Sequence, residues 1–246
     1  LWYLRDFVDK APVSAAVTSM LASMGLNVTF TFDAEHVTSI NAGTIILLQV
    51  IVSRLVKNTP ALPTMVSGMA IGAIGFLLLA SSQNAWVFVL GIAVFSIGEM
   101  TAHPKYYSFV GLVAPADRKA VYMGFAFLYG VIGSLLGSSL GGYLYATMLK
   151  PTMGLATAGE TARNFWLIFA ALDVVAVAGL IWFNRTFSAD TPGTRRLART
   201  VMTSVYAVVL LIGAWFCYMA FAANPVQSRM AVQSIIFLGL GSGGLA

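Results

Sequence analysis

Charge is what this sequence has least of. Asp, Glu, Lys and Arg make up 9% of its 246 residues, against roughly a quarter in soluble domains. So few charges cannot give a globule a water-compatible surface, which excludes a soluble enzyme. The single cysteine, Cys217, lies in an apolar run, so neither an intramolecular disulfide nor a Cys-rich metal site is available. A Gly-rich phosphate loop, an HExxH pair and a nucleophile elbow are also missing. No catalytic residue, metal or cofactor is therefore expected. The net charge of +5 would suggest a nucleic-acid partner in a soluble protein. Here the basic residues stand in short clusters between apolar runs, so they read as membrane-orienting charge and no nucleic acid is expected.

What the chain has in abundance is apolar length. A spanning helix needs about 20 mostly apolar residues, and six candidates follow one another at 38–56, 61–82, 86–113, 120–147, 165–183 and 201–222. A seventh, 230–246, is still apolar where the sequence stops. The sequence opens on Leu1, and 1–7 looks like the tail of an earlier span, so the chain reads as a fragment. The expected fold is an all-α integral membrane protein, a polytopic helix bundle.

Lys and Arg are retained on the cytoplasmic side of a membrane. Arg54, Lys57, Arg118, Lys119, Arg185, Arg195, Arg196 and Arg199 gather on one side of the spans, while Arg5, Lys10, Lys150, Arg163 and Arg229 are left for the other. The first set is expected to be cytoplasmic, with the uncharged loop 82–85 outside. Residues 1–36 are then extracytoplasmic. Within them Val13, Val17, Met20, Leu21 and Met24 recur at helical spacing, an amphipathic helix lying on the bundle or the interface. After Gly25 the period becomes two: Leu26, Val28, Phe30 and Phe32 alternate with polar residues, which predicts a short strand. A five-span transport bundle is expected over 37–187. A polar cytoplasmic linker follows at 188–200, then two additional spans over 201–246, the last truncated. A bacterial inner membrane is the expected location.

Inside the spans, Glu99 carries the sharpest signal. It lies near the middle of the third span, where a charged side chain costs about 3 kcal/mol even on lenient insertion scales. Such a residue must face a partner or a wet cavity. His103 and Tyr106 stand four and seven residues further on, on the same helical face. Pro104 removes a backbone donor in the same span and frees a carbonyl. The competing reading of Glu99 is a structural carboxyl that locks two helices together. Lys105 falls on another face, where snorkelling to the interface accounts for it. Asp173, midway along the fifth span, is a candidate for proton handling or for a purely structural role. Asn41, Thr44 and Gln49 make the first span slightly polar, lining a cavity or bonding neighbouring helices. Gly130, Gly133, Gly137 and Gly141 form a small-residue stripe on the fourth span, and Gly68 and Gly72 a shorter one on the second; both predict close helix packing.

The run Gly98-Glu99-Met100, then Pro104, Tyr107, Ala114-Pro115 and Tyr122-Met123-Gly124-Phe125, resembles the tenth and eleventh helices of proton-dependent oligopeptide transporters, within the major facilitator superfamily. Ser39-Ile40-Asn41 is similar to that family's eighth helix, and Asn164-Phe165-Trp166 to the start of its twelfth. The resemblance covers about 37–187. It implies the C-terminal half of a twelve-helix transporter with two further spans, whose partners are a missing N-terminal half, the lipid bilayer, a small-molecule substrate and protons. It also implies that Glu99 helps to bind a peptide amino terminus and takes part in gating, with Asn41 near the substrate terminus. His103 and Lys105 are not part of the family pattern, which leaves open a carrier for another small organic solute. A non-transporting membrane scaffold or receptor built on the same bundle is the alternative from another class.

Overall fold

The computed structural model describes residues 2–187 and seven positions between 196 and 214. The linker and the two last spans expected at 188–246 lie outside the described residues, those seven positions apart. Five helical stretches are long and apolar enough to cross a membrane: Glu35–Val56, Ala61–Ser81, Ala85–Val113, Lys119–Thr152 and Ala158–Thr186. The fold is therefore an all-α polytopic membrane bundle. In chain order its helices are α1 (Trp2–Phe7), α2 (Ala11–Ser23), α3 (Glu35–Val56), α4 (Ala61–Ser81), α5 (Ala85–Val113), α6 (Lys119–Ala126), α7 (Leu128–Leu144) and α8 (Ala158–Thr186). The chain divides into two compact units, Leu1–Trp182 and Phe183–Ala246.

α4 and α5 form the most extensive pair, with α3 packed on α5 next. Glycines let the α4 and α5 backbones touch. A Cβ on Gly98 would stand 2.6 Å from both Gly68 O and Gly72 N, and one on Gly75 would stand 2.8 Å from Phe95 N. Gly91 faces the Leu79 side chain in the same way, at 2.8 Å. Without a hydrophobic drive between helices in lipid, this close contact is what holds such a pair together. α8 is joined to the bundle by large rings instead: Trp166 and Phe169 lie 6.1 and 6.0 Å from Phe76, and Phe165 lies 6.3 Å from Tyr3.

The densest apolar core sits at the end of the bundle where α4 turns into α5. Tyr3, Leu4 and Phe7 of α1 are buried there with Leu79, Phe88, Leu149 and Phe165. The backbone of Asp9 pairs with the α4–α5 turn, its N–H donating to Gln83 O (2.9 Å) and its carbonyl accepting from Ala85 N–H (3.2 Å). Asn84 caps α5 by accepting from Trp86 N–H at 2.8 Å. The N-terminal segment and the 82–85 loop therefore share one end of the bundle, and Lys57 lies at the other.

Two expectations need correction. Residues 26–33 form neither helix nor strand. The alternating amides of Phe30 and Phe32 donate to the hydroxyls of Thr18 (3.0 Å) and Ser14 (2.9 Å), one turn apart on α2. Helix hydroxyls thus take the place of a neighbouring strand. The span expected at 120–147 is present as Lys119–Thr152, with Phe127, itself of helical backbone conformation (φ −70°, ψ −20°), between α6 and α7. Here Phe127 N–H bonds to Gly124 O, a tighter local turn flanked by two glycines, Gly124 and Gly130. The glycine stripe on α7 makes no close contact among the described residues. Nothing lies within 4 Å of a Cβ on Gly130, Gly133 or Gly137, and one on Gly141 meets only the Phe169 ring at 3.9 Å. The shorter stripe of Gly68 and Gly72 is the one that packs, because α5 brings Gly98 to meet it.

Candidate functional site on α5

Glu99 follows Gly98, the glycine seated against α4. It is exposed and makes no hydrogen bond or ion pair among the described residues. One turn on, His103 Nδ1 and the Tyr129 hydroxyl of α7 form a hydrogen bond of 2.5 Å, in which the imidazole tautomer decides the donor. Tyr106 donates its hydroxyl to Ala126 O at 3.2 Å, the last residue of α6. Glu99, His103 and Tyr106 therefore share a face of α5, and α6–α7 closes on its His103–Tyr106 end.

Around these residues lies a continuous group of rings. Tyr106 is 4.8 Å from Tyr129 and 5.4 Å from Tyr107, while Tyr107 is 5.0 Å from His103 and 5.1 Å from Phe127. Sequence spacing missed Tyr107, Phe127 and Tyr129. Tyr107 is eight residues from Glu99, off the i, i+4, i+7 series, and the other two come from the neighbouring span, which spacing along α5 cannot reveal.

Asn41 lies against α5 one turn before Glu99. Its Oδ1 is 3.1 Å from the hydroxyl of Ser96, which is fully buried and also lies 2.8 Å from Ile92 O. Of the two readings of Asn41, helix bonding is realised. Thr44 donates to Ile40 O and Gln49 to Ser53 Oγ, both within α3.

Asp173 comes from α8 to the far side of the crossing. Its Oδ2 would stand 3.1 Å from a Cβ on Gly72, the residue that meets Gly98 on the other side. The two carboxylates thus lie at one level of the bundle without direct contact, and Asp173 too has no hydrogen-bond partner among the described residues. Lys105 is 8% exposed, and its Nζ donates to Thr59 O (2.8 Å) and Lys57 O (3.4 Å) in the loop just beyond α3, at that end of the bundle. A cation there complements the unsatisfied carbonyls and the negative end of the helix dipole.

A separate cavity of about 230 Å³ at the opposite end is lined by Tyr3, Ser81, Ser82, Gln83 and Arg163. No group of three or more His, Cys, Asp or Glu side chains suited to a metal occurs among the described residues.

The chain is 26% identical over 144 residues to an uncharacterised MFS-type transporter, YttB, of Bacillus subtilis (strain 168). The match covers 58% of this chain, which spans 36% of the length of that relative. This similarity supports membership of the major facilitator superfamily. No family model and no solved structure matches the chain.

Proposed function

We propose that the chain is part of a secondary active transporter of a small organic solute, with the Glu99 face of α5 lining the solute path. The carrying observation is an exposed carboxylate without a partner, in the middle of a spanning helix. Facing lipid, that charge would cost several kcal/mol; facing a wet cavity, it costs little and attracts a positive group. A dry ion-paired interface, the mark of a scaffold, is not what surrounds it. Pro104 lacks the N–H that would bond the carbonyl of Met100, next to the carboxylate, and a spare acceptor near the midplane suits a carrier that binds solute there.

Di- and tripeptides are the solutes that the oligopeptide-transporter motif suggests, their amino terminus pairing with Glu99 and protons driving the symport. A missing N-terminal half would supply the opposite wall. A carrier for a different amine is the second reading, favoured by His103 and its tyrosines, which depart from that motif. Uptake by the complete protein in proteoliposomes tests both. Breaking a buried ion pair costs about 3–5 kcal/mol, so Glu99→Gln should weaken binding of an amine-bearing solute at least about a hundredfold. An analogue lacking the amino group should lose far less. Equal losses for both would remove Glu99 from the solute site.

A further inference from the structure

We propose that the aromatic wall formed by Tyr106, Tyr107, Tyr129 and Phe127 binds an organic cation bearing an alkylated ammonium group, with Glu99 as its counter-charge. This rests on the transport reading above and narrows its substrate class.

Neighbouring rings in the wall meet at 42 to 71°, so edges meet faces and some ring faces are left turned outward. A cation is attracted to such a face within about 6 Å of the ring centroid. The centroids of contacting rings lie only 4.8 to 6.4 Å apart, too close for a cation to enter between two of them. The rings therefore present one side. Phe127 is 61% and Tyr129 42% exposed on it, and Glu99 is exposed on the adjoining turn of α5. If that side met lipid, a carboxylate would be left in hydrocarbon at a cost of several kcal/mol, so it is taken as the wet side.

The same residues exclude other ligands. An anion would meet Glu99 with no cation to offset it, since Lys105 is spent on the carbonyls of Lys57 and Thr59. A divalent metal would find one carboxylate and an imidazole whose Nδ1 is already bonded to Tyr129. A primary ammonium could bond only to Glu99 and to the spare lone pairs of the Tyr106 and Tyr129 hydroxyls, which are held towards Ala126 O and His103, and it makes less use of the ring faces than an alkylated one. What remains is ring surface and one charge, which suits an ammonium whose hydrogens are replaced by alkyl groups.

Choline and its neutral carbon isostere 3,3-dimethylbutan-1-ol make the test, titrated against the complete transporter in nanodiscs by calorimetry. Choline should bind at least about tenfold more tightly than the isostere. Tyr106→Leu and Tyr129→Leu should each weaken choline about fivefold, whereas the two Phe variants, which keep the ring and lose the hydroxyl, should bind it as the wild type does. Equal affinity for choline and the isostere in the wild-type protein would overturn the proposal without reliance on any variant's folding. So would Phe variants that lose as much as the Leu variants. Uptake of another amine that depends on Glu99, with no choline binding, would sink the cation wall and leave the transport reading standing. Choline binding unaffected by Glu99→Gln would overturn the counter-charge.

Discussion

Gly98 is the residue on which the α4–α5 pair depends. Any Cβ there must displace backbone atoms of Gly68 and Gly72 at 2.6 Å, and backbone cannot swing away as a flexible side chain can. Gly98→Ala should therefore lower stability by about 1–3 kcal/mol. Gly137→Ala, with open space around it, should leave stability within about 0.5 kcal/mol of wild type. Thermal unfolding in detergent compares the two; a Gly137→Ala loss as large as that of Gly98→Ala would show an element packed on the α7 stripe. Glycine spacing reveals which faces permit close approach but not which neighbour arrives. That is why the four-glycine stripe was the louder signal and the Gly68–Gly72 stripe the one in contact. Glu99 was legible for a different reason: a charge amid a dozen uncharged residues stands out without any knowledge of tertiary contacts.

At the scale of elements, α2 and the segment 26–33 are coupled by two hydroxyls. Ser14→Ala with Thr18→Ala would leave the amides of Phe30 and Phe32 without partners, at about 1 kcal/mol each. The expected outcome is faster amide hydrogen exchange at Phe30 and Phe32, with exchange in α4 unchanged. Lys105 plays a similar part at the other end. Lys105→Met keeps the apolar stem and removes the donor to Thr59 O, so the α3–α4 turn should exchange faster and become more open to proteolysis there. An unchanged turn would mean that water replaces the ammonium without cost. Period-two alternation marked the inward Phe32, but not that a helix rather than a strand would take the amides of Phe30 and Phe32.

For the whole molecule, apolar run length was enough to read the five described spans, whose observed limits differ from the expected ones mainly at the ends. In a membrane, backbone polar groups must be satisfied within each segment, so length and hydropathy alone specify helices. The site was legible only where it follows one helix. Glu99, His103 and Tyr106 could be grouped by spacing, while Tyr129 and Phe127 joined them through a tertiary contact. Everything functional in this description depends on the Glu99 face of α5 meeting water rather than lipid. Single cysteines at 99, 103 and 106, and at Leu90 and Leu112 on the opposite side by helical spacing, test that directly. They would be placed in a Cys217→Ser background of the complete protein and treated with a small hydrophilic thiol reagent in the membrane. Reaction at 99, 103 and 106, slowed by bound solute, with little at 90 and 112, is the expected result. Unreactive positions 99, 103 and 106 beside reactive 90 and 112 would put lipid or a dry interface where the solute path is placed.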